Sequence, residues 1–459
     1  MTDRRSLLII LIALVASGVL ALPVPLETPA TVLPALALTM FTIGLWATGA
    51  LPEHITAVAF IVVALGFSVA PPEIVFSGLR SSAFWLIFGG VVIGVAAERT
   101  GLGRYLAHFF TRRFDTSYPQ LITGIVVGAV ALAFLIPSAI GRLVILMPII
   151  LGLADNLSLE QGSKGRTGMA LAVTFGSLYV PLTILPANLP NVVLAGVSDT
   201  LYDLSITYGV YLLLNFPVTG VIKGGFLVAI ICFIFRDEIP KAPKRNSEPL
   251  TLDSDGQRLM IILSVALIAW ATDFAHGISP GVISMAAAFF CLLPGIGMVR
   301  PGDFKTSFGY QTLLYIIAIL GVGAVISTSG AGTFIANEIL KVVHFSSGDT
   351  VYTYAAFSGL SMIFSMFATL PGAITIVAPF AGQVADSSGL PLTVVLMMIV
   401  NGFTTLFLPY QSPPIMVGLR LSNVSLATAA RVMLPLAVIT IVLLLPLNFL
   451  WWQWLGYLP

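Results

Sequence analysis

Four interruptions inside otherwise apolar segments carry the residues of this chain that could do chemistry. Residues 137–141 and 369–372, here called the first and second tips, each place a hydroxyl-bearing residue three positions before a glycine. Residues 186–191 and 408–414, the first and second breaks, combine prolines with polar side chains. A helix that stops and restarts exposes backbone N–H groups, which attract anions, and unpaired carbonyls, which bind cations. The pattern therefore indicates non-covalent ion binding.

These interruptions belong to two stretches with the same order of landmarks. The shared landmarks are a Trp-Ala-Thr triplet, a glycine turn, a proline and an aspartate, namely Trp46, Gly101, Pro148 and Asp155 in one copy and Trp270, Gly330, Pro379 and Asp386 in the other. Repeats with broken helices at corresponding positions are the best sequence indication of a secondary transporter and of its binding site. We therefore expect both tips and both breaks to meet near the middle of a membrane.

Composition supports a membrane protein and excludes other classes. Hydrophobic residues make up 58% of the chain and charged residues 9%, and the mean hydropathy is +1.02. Soluble proteins carry about 25% charged residues, so this chain needs a lipid bilayer as its partner. A net charge of +1 provides no basic face for nucleic acid. Cys232 and Cys291 lie in apolar runs and are expected to be buried hydrophobic residues.

The positions of Lys and Arg predict the topology. Arg4 and Arg5 precede an apolar run, which we interpret as a first transmembrane helix with a cytoplasmic N-terminus. Later clusters alternate with loops that lack Lys and Arg, which gives about eleven crossings and an external C-terminus in the cell's inner (plasma) membrane. The fold class is thus an all-α polytopic membrane protein, with two re-entrant hairpins that enter from opposite faces.

The predicted organisation has a first transmembrane helix, two repeats and a linker. The segments are 1–30 for the first helix, 31–235 for repeat 1 with hairpin 120–157 and broken helix 168–200, 236–258 for a cytoplasmic linker, and 259–459 for repeat 2 with hairpin 351–386 and broken helix 391–419. An odd number of crossings in each repeat makes the second copy inverted. His108 and His344 lie in amphipathic segments that we interpret as interfacial arms.

Several short sequence motifs resemble those of the divalent anion:sodium symporter family, which includes dicarboxylate, citrate and sulfate carriers. The resemblance is carried by Gly89-Gly90 through Leu102, by Asn188-Leu189-Pro190-Asn191 and by Ser412-Pro413-Pro414-Ile415, and the helix order extends it over the whole chain. It implies an elevator transporter of small anions. It also implies a scaffold that forms a homodimer and a transport domain that holds both hairpins.

The tips depart from that family, which carries Ser-Asn-Thr ten residues before a proline in each hairpin. Here the corresponding triplets are Ser138-Ala139-Ile140 and Thr369-Leu370-Pro371. The missing amide and hydroxyl oxygens weaken any sodium cage, so classical coupling to two sodium ions is not expected. The coupling ion is Na⁺ or H⁺, and no other cofactor or metal is predicted.

Arg142, just after the first tip, is costly inside an apolar hairpin, at about 2.5–3.5 kcal/mol. One interpretation is a fixed charge that replaces a coupling cation and meets an anionic substrate directly. The other is snorkelling or pairing with a nearby acid. The predicted substrate-binding residues are Ser138, Ala139, Arg142, Asn188, Asn191, Thr369, Gly372, Ser412 and Pro413; the predicted ion-binding residues are Ser138, Gly141, Asn188, Thr369, Gly372 and Gln411.

The remaining polar residues are weaker signals. Glu53 and Asp273 are interpreted as solvated helix ends, and Lys223 as a snorkelling side chain. Asn401 and Gln411 flank the second break and are expected to line the site.

No catalytic motif is recognisable, so an enzyme or an ATP-driven pump is not expected. A second hypothesis is a different function in a related ion-transporter architecture. The protein would then be a cation/proton antiporter, a metalloid exporter, or the membrane subunit of a binding-protein-dependent carrier. An antiporter would need a carboxylate at the midplane, and the tips and breaks contain none.

Overall fold

The protein is described from a computed structural model that covers residues 2–23, 25, 28–106, 117–237, 251–300, 302–303, 309–340, 345–346 and 348–459. These residues form helices joined by turns, and no strand occurs among them. The predicted all-α fold class is confirmed. Most of the predicted linker 236–258 lies outside the described residues, and so do His108 and His344.

The first half of the chain contains ten helices within the described ranges. They are α1 (Thr2–Val19), α2 (Val32–Thr48), α3 (Glu53–Gly66), α4 (Pro72–Val75), α5 (Ser82–Thr100), α6 (Tyr118–Leu135), α7 (Ala139–Asn156), α8 (Lys164–Gly176), α9 (Leu189–Tyr202) and α10 (Tyr208–Ile234). Helix α10 contains a π-helical turn over Phe216–Ile222. Short 3₁₀ turns at Val180–Thr183 and Leu185–Ala187 fill the space between α8 and α9.

The described helices of the second half follow a similar order. They are α11 (Ser254–Ala271), α12 (Asp273–His276), α13 (Pro280–Leu292), α14 (Tyr310–Thr328), α15 (Ala331–Leu340), α16 (Thr350–Phe367), α17 (Leu370–Val377), α18 (Ala381–Ser388), α19 (Leu392–Phe403), α20 (Pro413–Ser422) and α21 (Leu426–Trp454). Of all described helices, seven are long and apolar enough to cross a membrane, and five shorter ones are also apolar. The count of eleven crossings stays a prediction.

The first hairpin consists of α6 and α7 joined at the first tip. Pro137 cannot donate a backbone hydrogen bond, so α6 ends at Leu135, and the chain runs extended through Ser138. The Ser138 hydroxyl then accepts from the Gly141 N–H at 3.1 Å and caps α7.

The second hairpin repeats this construction with α16, α17 and α18. The Thr369 hydroxyl caps α17 by accepting from the Gly372 N–H at 3.3 Å. Pro379 then interrupts the returning arm with a 3₁₀ turn, whereas Pro148 sits inside a continuous α7. The two hairpins share their capped tips and differ in their returning arms.

Helices α8 and α19, each preceding a break, lie in the interior. From Gly168 to Gly176 and from Val394 to Phe403, every residue is buried. Helices that are apolar on all sides are buried on all sides, so these two form the core on which the breaks are mounted.

Candidate functional site

A cavity of about 500 Å³ lies between the tips, the breaks and helices α3, α5 and α14. Among the predicted site residues, those that line it are Ser138, Ala139, Gly141, Asn188, Thr369, Ser412 and Pro413. The structure thus brings both tips and both breaks to one place, as the repeat pattern predicted. Whether these residues bind a substrate stays a prediction.

Other predicted residues lie outside the cavity lining. The Asn191 amide donates to the Pro181 and Ile184 carbonyls at 3.0 and 2.7 Å, which fixes the turn before the first break. Gln411 donates to the Ser365 carbonyl at 2.9 Å and accepts from the backbone within its own break. Gly372 serves the cap of α17. These residues support the shape of the site.

Four helices begin at the cavity, each with its N-cap residue in the lining. The N-caps of α7, α9, α17 and α20 are Ser138, Asn188, Thr369 and Ser412. Helix N-termini carry partial positive charge and unsatisfied N–H groups, so they converge here on one space suited to an anion.

Arg142 lies behind the first tip with 0% of its surface exposed. Its Nη1 donates to the carbonyls of Ile136 (2.6 Å) and Ala187 (3.0 Å). Its Nη2 donates to the Ser177 carbonyl (2.7 Å) and to Asn188 Oδ1 (3.0 Å). The guanidinium therefore fills a cage of oxygens, and it ties the first tip to the first break.

Both interpretations of Arg142 need correction. Snorkelling and pairing with an acid are wrong, because its partners are carbonyls and an amide and the side chain is fully buried. Direct contact with a substrate is not supported either, since Arg142 does not line the cavity. Arg142 is instead connected to the cavity lining by its hydrogen bond to Asn188.

Asn188 is the residue that connects Arg142 with the cavity lining. Its Oδ1 faces Arg142, so its Nδ2 faces away, and Nδ2 has no hydrogen-bond partner in the described part of the chain. The side chain lines the cavity and is 3% exposed. A buried donor without a partner is costly, by about 1–3 kcal/mol. A ligand oxygen would satisfy it.

The Arg142 guanidinium lies at an oxygen-rich position between the first tip and the first break. It holds the oxygens of Ile136, Ser177, Ala187 and Asn188. A sodium ion at this place would have to displace a fixed charge of the same sign.

Several residues missed or misjudged in the sequence also matter. Glu53 and Glu98, both exposed, lie along the cavity with Gly309 and Thr312. Tyr315 of α14 lines it too, beside Thr369 of the second tip. No local pattern marks Tyr315, because only tertiary packing brings α14 to the second tip.

Packing at the first tip depends on one glycine. A Cβ on Gly90 of α5 would lie 2.7 Å from Pro137 Cγ, so only glycine allows α5 to approach the tip this closely. Helix α5 therefore packs directly against Pro137 of the first tip and forms the cavity wall opposite the hairpins.

Three further interpretations are wrong. Asp273 is not a solvated helix end: it is 2% exposed, and its Oδ2 accepts from the Tyr208 N–H at 2.5 Å. Lys223 does not snorkel, since it is 1% exposed and donates to the Thr404 carbonyl. Asn401 does not line the site; it bonds to Ser358 and Asn448 in a buried network.

The family is defined by comparison with known proteins. The family model described as "Sodium:sulfate symporter transmembrane region" matches residues 3–458. The chain therefore belongs to the sodium:sulfate symporter family, and it is a multi-pass membrane transporter, not an enzyme. The expected resemblance is confirmed over nearly the whole length.

Two individual proteins are similar to this chain. A Cupriavidus necator protein named "Membrane protein" is 22% identical over 465 residues, covering 96% of this chain and 91% of that protein. The crystal structure of the Alcanivorax borkumensis YdaH transporter, described as having an unusual topology, matches with a TM-score of 0.56. It is 16% identical and covers 92% of this chain and 99% of that one. This likeness supports the fold.

Proposed function

We propose that this protein is a secondary active transporter of small anions, either dicarboxylates and other organic acids or sulfate-like oxyanions. The observation that carries this is the cavity at which four helices begin, with the N-cap Asn188 and its unpartnered, buried Nδ2 among the lining residues. Such groups recognise oxyanions without any cationic side chain in contact. Membership of the sodium:sulfate symporter family supports the substrate class.

Arg142 is proposed to replace a coupling cation of the first half. Its guanidinium holds the oxygen cage permanently, because arginine does not lose its proton in proteins. A mobile sodium ion is then unnecessary for holding the first tip against the first break. Uptake is expected to depend weakly on a sodium gradient and to proceed by exchange or with protons.

The proposed mechanism is an elevator in a homodimer in the inner membrane. Hairpins and breaks form one side of the cavity, and α3, α5 and α14 form the other. A substrate bound to the hairpin side would travel past the opposite wall. The cavity extends towards Glu53, Glu98 and Gly309, at helix ends predicted to be cytoplasmic, which supports the proposal of an inward-open state.

Cysteine labelling tests the inverted repeat. Single cysteines beside Asp155 should react from the cytoplasm, and those beside Asp386 from outside. External labelling near Asp155, or labelling near Asp386 from the cytoplasm alone, would reject it.

The function itself is tested on the purified protein. Thermal unfolding would be measured with succinate, citrate, sulfate and phosphate, each in sodium and in choline salts, followed by uptake of the best ligand into proteoliposomes. We expect stabilisation by at least one anion, to a similar extent in both salts. Absence of any stabilisation and uptake would refute anion transport. Steep, saturable sodium dependence would instead refute the role of Arg142 alone.

A further inference from the structure

Lys223 is a second buried cation, which the proposed function does not use. It follows directly after the π-helical turn Phe216–Ile222 of α10, and 1% of its surface is exposed. Turns of this kind occur frequently at functional sites. Nζ donates to the Thr404 carbonyl at 2.6 Å and lies 5.2 Å from the centre of the Tyr179 ring.

The acceptors of the two cations occupy equivalent places. Ser177 is the C-cap of α8, just before the first break, and its carbonyl accepts from Arg142. Thr404 is the C-cap of α19, just before the second break, and its carbonyl accepts from Lys223. The carbonyl at the end of the buried core helix in each half thus accepts from one buried cationic side chain, and both cations belong to the first half of the chain.

The surroundings of Lys223 provide little else for a charge. The elements packed closely on this part of α10 are α6, α8 and α21, whose titratable or charged residues are Tyr118, Lys164, Arg166 and Arg431. Cys232 lies on α10 itself, and Tyr179 follows α8. No aspartate or glutamate forms an ion pair with Lys223 within the described residues. An ammonium has three donors, and one is used here.

The two cations therefore differ in one respect that matters for coupling. A guanidinium keeps its proton, while a desolvated lysine gives it up readily. Lys223 Nζ lies over the ring of Tyr179. Tyr179 is two residues from Ser177, and Leu178 between them lines the cavity. A change of charge on Lys223 would therefore alter the electrostatic potential near Ser177, just before the first break, and at Thr404, just before the second.

We propose that Lys223 is the proton-carrying residue that couples anion transport to a proton gradient. The protonated amine holds the Thr404 carbonyl and favours the anion-loaded state. Release of the proton after the anion leaves frees that carbonyl and resets the carrier. This inference rests on the proposed function, since it requires a transported anion.

The test compares Lys223→Arg, which keeps the charge, with Lys223→Met, which removes it. Reconstituted protein would be assayed with radiolabelled succinate and sulfate in two ways: exchange without a gradient, and accumulation driven by an acidic exterior. Internal pyranine would report proton movement. Wild type should accumulate anion several-fold over its no-gradient level with accompanying acidification. Lys223→Arg, which keeps the charge, should retain exchange within about threefold and lose the gradient-driven gain, whereas Lys223→Met should lose the gain and also bind anion more weakly.

A purely structural role predicts a different result, namely equal losses of exchange and of driven accumulation. That result would overturn the proposal, and so would a pH-driven gain retained by Lys223→Arg. If Lys223→Met does not fold, Lys223→Arg and the pyranine signal of wild type decide the matter. Wild-type exchange combined with no proton movement and no added accumulation under the acidic exterior would overturn the role of Lys223 and leave anion transport standing. Absence of exchange would refute the proposed function instead.

Discussion

The two halves meet the cavity with similar elements and unequal chemistry. In the first half, α7 starts with Ala139 and Ile140, both of which have N–H groups, and α9 has only Pro190 without one in its first turn and follows Asn188 with its unpartnered Nδ2. In the second half, α17 has Pro371 in its first turn, and α20 starts with Pro413 and Pro414, which have no N–H. Donors for an anion therefore concentrate in the first half, and the second half mainly encloses it.

The oxygen cages differ in the same direction. Arg142 makes four hydrogen bonds across the first tip and first break, whereas the equivalent position in the second hairpin is the buried Ala373. Tyr315, from outside the hairpin, touches the second tip instead. The contrast teaches that the first tip is held by a charged side chain, whereas the matching position of the second tip is neutral.

The largest expected effect comes from Arg142→Ala, which makes the first half resemble the second. Three carbonyls and Asn188 Oδ1 would lose a charged partner, each bond being worth about 1.5–3 kcal/mol. We expect the affinity for the anion found in the screen to fall at least about 100-fold. Isothermal titration would measure it, with size-exclusion chromatography as a check of folding.

Arg166→Ala is the matched control for that change. Arg166 bonds instead to an acid, the exposed Asp155, and it lies away from the cavity. Exposed ion pairs contribute about 0–1 kcal/mol, so binding should be nearly unchanged. Equal losses in the two variants would contradict the special role of Arg142.

The sequence predicted the place of the site better than its contacts. Proline and glycine mark where helices stop, so both tips and both breaks were identifiable, and the cost of a buried charge singled out Arg142. Its partners were not identifiable, because three of them are backbone carbonyls, which have no residue signature. Lys223 was misjudged for the same reason, since its acceptor lies 181 residues away.

The next largest effect on anion affinity is expected at Asn188, when it is compared with Ser412, the N-cap residue at the second break. Asn188→Ala removes the donor Nδ2 and the acceptor of Arg142, and a hydrogen bond to a charged group is worth about 1.5–3 kcal/mol. A decrease in affinity of about 10- to 100-fold is expected. Ser412→Ala, at the matching position before two prolines, should cost less than about threefold. Reversal of this order would place the anion against the second half.

A smaller effect is expected at the tips. Ser138→Ala and Thr369→Ala each remove an N-cap, worth about 1 kcal/mol of local helix stability. The midpoint temperature of thermal unfolding should decrease by similar amounts in both variants. Anion binding should weaken about fivefold for Ser138→Ala and less than twofold for Thr369→Ala, because the donors lie on the first tip. Ser138→Gly, which caps almost as well through solvation of the helix end, is the control and should behave like wild type.

The smallest effect concerns the exposed acids along the cavity, Glu53 and Glu98. Glu98 is eight residues beyond Gly90 on α5, which places it about 12 Å along the helix from the contact with the first tip. That separation exceeds the Debye length of about 8 Å at physiological ionic strength, so the repulsion of an anion is largely screened. Glu98→Gln and Glu53→Gln should therefore raise the association rate less than about threefold in stopped-flow measurements, and the gain should vanish in 0.5 M salt. Dissociation rates should stay unchanged, because neither side chain belongs to the tips that hold the anion. A salt-independent change in dissociation would mean that the anion binds at the helix ends and not between the tips, which would also undo the asymmetry argued for the two halves.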